Sequence, residues 1–293
     1  MPVHAPNKHH YIPEYYLANW AGDDRRFERY NKPVPSKTMV RRVFPSEAGW
    51  QKGLYASPRD SRGTQWLESQ IFQIIDSKAA LVLSKITAEP PQVPTAEERS
   101  AWTLFLRSLL HRTPDNFKST IAHAKSMIDE AIEEAREHYL TLRAPTDPDT
   151  FEAFKEAMTS DERHRMALKS LPTLMANPRI GQFLHDMPTR VFTLPDASQD
   201  FLLSDDPLVR SNGLQQENGH IAIPLSPRKL FVSAYREGLL DRFAAMKPNE
   251  LAASVNRWTV ESARHFVVAR DKKQDRFIRN RFGKDPKAPL LQM

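Results

Sequence analysis

The chain contains no cysteine. Disulfides, thiolate metal centres, iron–sulfur clusters and a cysteine nucleophile are therefore excluded. Glycine is scarce, at 9 of 293 residues. Neither GxGxxG nor a Walker-type phosphate loop is present, so no nucleotide cofactor is expected. The absence of a GxSxG elbow removes α/β-type serine hydrolases, and the absence of HExxH removes the zincins. Long hydrophobic runs are missing too. No window approaches 18 uncharged apolar residues, so no membrane-spanning helix is expected. The stretch MPVHAPNKHH at residues 1–10 has no apolar h-region of a secretory signal. A cytoplasmic location is the expectation that follows.

What is present suits a globular chain. Hydrophobic residues make up 40% and charged residues 27%, ordinary values for a domain with a core of its own. The 23 prolines punctuate element ends, as in PPQVP, RTPD, APTDPD and SDDP. The formal net charge of +6 is uneven. Residues 1–65 hold 11 Lys and Arg against 6 Asp and Glu, and residues 264–293 hold 9 against 3. The middle, with 22 against 27, is mildly acidic. Basic ends suit contact with nucleic acid or another polyanion. They equally suit solvated segments that keep the chain in solution, and the mixed signs of DKKQDRFIRNRFGKDPK favour a solvated, disordered tail over 271–293.

Periodicity predicts an α+β fold. Residues 1–20 read as an ordered arm. Residues 21–64 read as polar and irregular, with short strands at RRFERY and MVRRVF. Over 66–87, Leu67, Ile71, Ile75, Ala79, Val82 and Ile86 recur at helical spacing. The next helix spans 96–112, with Thr95 and Glu98 as a capping box and Trp102, Phe105, Leu106, Leu109 and Leu110 as its buried stripe. Thr113 and Pro114 open a helix running to about Leu142, and further helices are expected near 150–169 and at NPRIGQFLHDM. After residue 188 the pattern changes to short β-rich runs: RVFTL, DFLLS, HIAIPL, KLFVSAY and RHFVVAR. These predict a mainly antiparallel sheet of about five strands, interrupted by helices at GLLDRFAAM and NELAASVNRWTVESA. The chain thus divides into an arm and irregular region (1–65), a helical region (66–187), a sheet with helices (188–270) and the tail. All of it is read as one integrated domain over 1–293.

Several polar residues stand out. In HHYIPEYYLANW, residues 9–20, Pro13 favours extended backbone before it, which sends His9 and His10 to opposite sides. Imidazole is both a common metal ligand and an acid–base group near neutrality. Ser204 and Asp205 lie at the end of a strand candidate before Pro207, a place that suits divalent-metal binding or base chemistry. It equally suits a turn that caps local amides. On a regular helix Glu68 and Asp76 would be about 80° apart in projection and about two turns apart along the axis, too far to hold an ion by themselves. Arg112 ends its helix and could grip a phosphate or neutralise the helix terminus. Asn256 and Arg264 flank the last strand candidate.

Together these elements resemble a microbial family catalogued as domain of unknown function 4238. Its hallmarks are HHYxPxxYLxxF, an acidic helix, RTP, SDxP, PLSP and a final Asn-bearing helix. The likeness is carried by residues 9–20, Glu68, Asp76, RTP at 112–114, SDDP at 204–207 and PLSP at 224–227. Trp20 replaces the usual Phe, and Asp76 stands where glutamate is more usual. It covers about residues 7–270. The resemblance implies no particular activity. It does imply a shared polar site, because packing explains Tyr11, Pro13 and Leu17 but explains His10, Arg112, Asp205 and Asn256 poorly.

The leading expectation is a metal-dependent phosphodiesterase or nuclease. His10, Asp205 and Arg112 would be catalytic. His9, His10, Glu68, Asp76 and Asp205 are the candidate ligands for Mg²⁺ or Mn²⁺. Tyr15, Asn19, Ser204, Asn256 and Arg264 are the candidate substrate contacts, and the basic ends would hold nucleic acid. One alternative is a non-catalytic binding or regulatory module, defence- or toxin-associated, with a structural polar network. Another is a small-molecule hydrolase.

Overall fold

A computed structural model of the chain describes residues 8–35, 37–55, 66–196, 199–211 and 213–284. The N-terminal part consists of β1 (Lys8–His10), α1 (Glu14–Leu17), β2 (Phe27–Val34), β3 (Lys37–Val43) and β4 (Trp50–Lys52). Next comes α2, which begins as a π-helical turn at Leu67–Phe72 and continues as α-helix through Gln73–Thr87. Then follow α3 (Ala96–Arg112), α4 (Pro114–Glu134), α5 (Tyr139–Leu142), α6 (Phe151–Ala157), α7 (Ser160–Met175) and α8 (Pro178–Asp186). The C-terminal part holds β5 (Thr189–Thr193), β6 (Leu203–Ser204), β7 (Val209–Arg210), β8 (His220–Pro224) and β9 (Lys229–Ala234). It ends with α9 (Glu237–Ala245), α10 (Pro248–Ser262), β10 (Phe266–Ala269) and α11 (Asp275–Arg281). The fold is α+β, with antiparallel pairing throughout the described sheets.

The ends of α3 fall where the chemistry places them. Thr95 accepts from the Glu98 amide, and the Glu98 carboxylate returns the bond to the Thr95 amide at 2.9 Å. Pro114 opens α4 at its first position. That helix stops at Glu134 rather than near Leu142, giving way to a short 3₁₀ turn and α5. The helix expected over 150–169 is two helices, because a second capping box, Thr159 with Glu162, starts α7 afresh.

The expectation of one five-stranded sheet is corrected. The strands form two four-stranded sheets, ordered β3-β2-β10-β6 and β5-β9-β8-β7, and a separate β1-β4 pair. β10 leaves its sequence neighbours to pair with β2, Phe266 opposite Asn31 and Ala269 opposite Glu28. The two basic segments of the sequence therefore meet in one sheet. The tail is corrected too. Ile278 and Phe282 of the α11 region are buried, Gly283 donates to Val260 O at 3.0 Å, and Arg279 donates to Thr38 O at 2.6 Å. Of the tail expected to be disordered, residues 285–293 lie outside the described residues, as do residues 1–7 of the arm.

The rest of the arm is anchored. Ile12, Tyr16, Leu17 and Trp20 are fully buried in a core that also contains Phe105, Leu203 and Val268. Each such aliphatic side chain contributes roughly 1.5–3 kcal/mol. Tyr16 donates through its hydroxyl to Pro224 O, and the Trp20 indole donates to Phe201 O at 2.9 Å. Gly49 accepts from the amides of Tyr11 and Ile12 at 2.8 and 3.1 Å. Its φ is +66°, and a Cβ there would lie 2.9 Å from Ile12 Cβ, so glycine is needed both for conformation and for closeness.

A polar cluster between the arm and the helix pair

The extended arm does send its two histidines apart. His9 is buried, stacked on Tyr55 with ring centroids 5.2 Å apart. Its Nδ1 accepts from the Tyr55 amide at 3.0 Å. Burial holds its pKa below the ordinary value. This is a satisfied core histidine whose Nδ1 lone pair is already used. His10, on the other side, faces α2 and the end of α3.

The first turn of α2 makes the site. Being π-helical, it bonds the Gln73 amide to Glu68 O, an i→i+5 closure that inserts one extra residue. The angular offset between Glu68 and Asp76 then falls from about 80° to about 20°. Two carboxylates that a regular helix would splay apart are brought onto one line. Single π turns recur at functional sites. The sequence carries no visible signal for this one.

Arg112, at the end of α3, meets that line. It is fully buried and grips Asp76 with two hydrogen bonds, Nη1 to Oδ1 at 2.6 Å and Nη2 to Oδ2 at 2.8 Å. Nη2 also donates to His10 O at 3.1 Å, and the guanidinium lies 4.4 Å from the centre of the Phe72 ring. The backbone N–H of His10 is bound by the Glu68 carboxylate. Both main-chain polar groups of His10 are thus held by this cluster. Tyr55, absent from the sequence-based candidates, supports it from below, its hydroxyl donating to Arg112 O at 3.2 Å.

Four polar atoms here are buried with no hydrogen-bond partner among the described residues: His10 Nε2, Glu68 Oε2, Tyr15 Oη and Arg112 Nε. Their ionisation follows from their surroundings. Burial and the neighbouring Asp76 charge push Glu68 up to about 7, against the opposing pull of Arg112 and the His10 amide. Burial first, then the cations Lys8 and Arg112, push His10 down to about 4. Burial and Asp76 raise the Tyr15 phenol. Near neutrality the cluster therefore contains a neutral imidazole, a neutral phenol and a glutamate divided between its two forms.

The other candidates lie elsewhere. Asp205 is buried, and its carboxylate accepts from the amides of Arg264 and Phe266, with Oδ1 contacts of 3.1 and 3.2 Å. It pins the turn into β10. Burial raises its pKa, opposed by His265 and by these backbone N–H groups. Ser204 bonds to Asp206 O at 3.0 Å in the loop that follows β6. Asn256 accepts from the Leu202 amide and donates to Asp200 O, both at 2.8 Å, so it bolts α10 to the strand below. Arg264 reaches Asp115 at 3.1 Å, and Asn19 is exposed.

The metal-ligand set expected from the sequence is consequently not assembled. Asp76 gives both oxygens to Arg112, Asp205 is committed to backbone amides, and His9 Nδ1 is committed to Tyr55. Among the described residues no three His, Asp or Glu side chains come together as a group able to hold a metal ion.

The chain belongs to the family described as a protein of unknown function (DUF4238), which matches residues 8–273. No curated protein and no solved structure matches it.

Proposed function

We propose that this cluster is an acid–base active site, with Glu68 as the proton-transfer group and a phosphodiester of nucleic acid as the substrate class. The observation that carries the reading is Glu68 itself, poised at about 7 with one oxygen unpartnered among the described residues, in a cluster that also holds the likewise unpartnered ring nitrogen of His10. A general base works best when its pKa lies near the operating pH. In the proposed step the Glu68 carboxylate takes a proton from a water oriented by His10 Nε2. That water forms the new P–O bond as the ester P–O bond breaks, and the departing oxygen takes a proton from solvent. Tyr15 donates to a phosphate oxygen. Arg112, bound through its Nη atoms to Asp76 and to His10 O, acts through position: it holds His10 and sets the Asp76 charge that raises Glu68.

The substrate class rests on charge. Residues 25–43 hold seven Lys and Arg against one acid, and residues 264–284 hold eight against two. Pairing of β2 with β10 joins the two stretches. Arg25, Lys37, Arg41, Lys272, Arg276 and Lys284 are exposed, a footprint suited to a phosphate backbone.

The test is a cleavage panel with RNA, single-stranded DNA and duplex DNA, in Mn²⁺, Mg²⁺ or EDTA, comparing wild type with Glu68→Gln and His10→Ala. Wild-type cleavage that rises through about pH 7 and drops about 100-fold in Glu68→Gln supports the proposal. An absence of cleavage, or a Glu68→Gln enzyme as active as wild type, defeats it. A second reading draws on the same geometry. Glu68 and Arg112 hold both main-chain groups of His10, as a clasp for the arm would. In that case Glu68→Ala, which frees the His10 N–H, lowers Tm with no activity to lose.

A further inference from the structure

A second site lies along the same helix pair. α2 and α3 run antiparallel, and the polar cluster sits where the start of α2 meets the end of α3. Ten residues away on each helix, or about 15 Å at 1.5 Å per residue, the pair opens into a cavity of about 280 Å³ over the β5-β9-β8 face. That volume equals the liquid share of about nine waters at about 30 Å³ each.

Its walls follow from periodicity. Val82 and Ile86 are one turn apart on α2, and Trp102 faces them from α3. Phe231 and Ser233 are two residues apart on β9 and so share a face, with Val191 of β5 directly opposite Phe231. The lining is mainly apolar, with Gln92, Thr103 and Thr189 among its polar members, and two further polar groups stand out. Trp102 is 4% exposed and Ser233 is 3% exposed. Trp102 Nε1 and Ser233 Oγ have no hydrogen-bond partner among the described residues. A buried N–H or O–H left unpaired costs free energy, and buried tryptophan N–H groups usually have a partner. Apolar walls with a few convergent polar groups are the construction of small-molecule sites.

The charges at the rim are engaged. Arg99 donates to His185 O and Met187 O, Arg190 pairs with Asp241 at 3.1 Å, and His185 contacts Asp186 at 3.1 Å. Arg99 meets only carbonyl oxygens and keeps its charge at the rim, but none of the buried lining residues is charged. Trp102 can only donate, and Ser233 can donate as well. We infer that this cavity binds a small, uncharged, largely apolar molecule through one acceptor oxygen of the ketone, ester or amide type, held by Trp102 Nε1–H and Ser233 Oγ–H. The inference is independent of the chemistry proposed for Glu68.

The experiment uses the full chain and prodan, a neutral naphthyl ketone whose emission reports both polarity and hydrogen bonding to its carbonyl. Saturable binding at one site per chain is expected, with blue-shifted emission. Trp102→Phe keeps the ring and Ser233→Ala keeps the fold, and each removes one donor. Each should weaken prodan about fivefold, the effect of one hydrogen bond, while Glu68→Gln should leave prodan binding unchanged. 2-Nonanone should displace prodan at least tenfold better than nonanoate. Absence of saturable binding overturns the inference, as does Ser233→Ala binding equal to wild type. Preference for nonanoate overturns the assignment to an uncharged ligand.

Discussion

Replacing Asp76 by asparagine tests the geometry of the cluster without removing volume. Arg112 is fully buried, and its only charge partner at hydrogen-bonding distance among the described residues is Asp76, held by two short bonds. Breaking a buried pair by neutralising one side leaves the other charge stranded, a loss of roughly 3–5 kcal/mol. The substituted side chain would retain one acceptor oxygen and Arg112 would keep its bond to His10 O, so the low end, about 3 kcal/mol, is the expected loss. Unfolding entropy of about 2.1 cal/mol/K per residue gives about 0.6 kcal/mol/K for 293 residues. The melting temperature should fall by about 5 °C, and urea midpoints should shift with an unchanged m-value. The double variant Asp76→Asn/Arg112→Met removes both charges and should recover to within about 1 kcal/mol of wild type. A second readout follows from Glu68, which Asp76 raises and Arg112 lowers. With position 76 neutral, the Glu68 pKa must fall. A loss below about 1 kcal/mol, the range of solvent-screened surface pairs, with no movement of Glu68, would refute the reasoning.

Other consequences can be checked alongside. Glu68 has a folded pKa above its unfolded value, so it favours the folded state at low pH. That contribution is lost as pH rises from about 4.5 through about 7. Glu68→Gln should therefore match wild type in Tm near pH 4.5 and exceed it above pH 7. His10 is shifted the other way, so its contribution is present above about 6.5 and lost as pH falls toward about 4. The acid limb of a stability profile should flatten in His10→Gln. Asp205→Ala should cost roughly 2–5 kcal/mol in urea unfolding by orphaning the buried amides it serves, whereas a metal-ligand role would show instead as lost Mn²⁺ affinity. Gly49→Ala should cost about 1–3 kcal/mol through its positive φ and the approach of Ile12, read as a lower Tm and faster proteolysis of the arm.

Local chemistry was readable wherever a signal and its consequence lay close together. The Thr95–Glu98 box sets the start of α3 and Pro114 the start of α4, because each signal needs only a few neighbouring residues. The opposite orientations of His9 and His10 follow from strand geometry. What depended on distant partners was hidden. Nothing in FVVA announces that β10 pairs with β2 across more than 200 residues. Glu68 and Asp76 looked misaligned because the π turn that aligns them has no sequence mark. Asp205 offered metal chemistry and amide capping equally, and the choice depended on where Arg264 and Phe266 present their amides. Tyr55 was missed because a tyrosine beside a polar segment carries no sign of the arginine carbonyl it will bind. The pocket beside Trp102 was beyond reach for the same reason. Helical spacing marks Trp102 as core, and only the opposing strands show that its N–H is left over.

As an acid–base group, Glu68 has to titrate near neutrality inside this cluster. Carbon-13 labelling of glutamate side chains and an NMR pH titration measure this directly, with the Glu68 signal assigned by its disappearance in Glu68→Gln. A midpoint near 7 that moves downward in Asp76→Asn is the predicted result. A midpoint near 4.5, unmoved by Asp76→Asn, would contradict it and leave the cluster as a clasp for the arm.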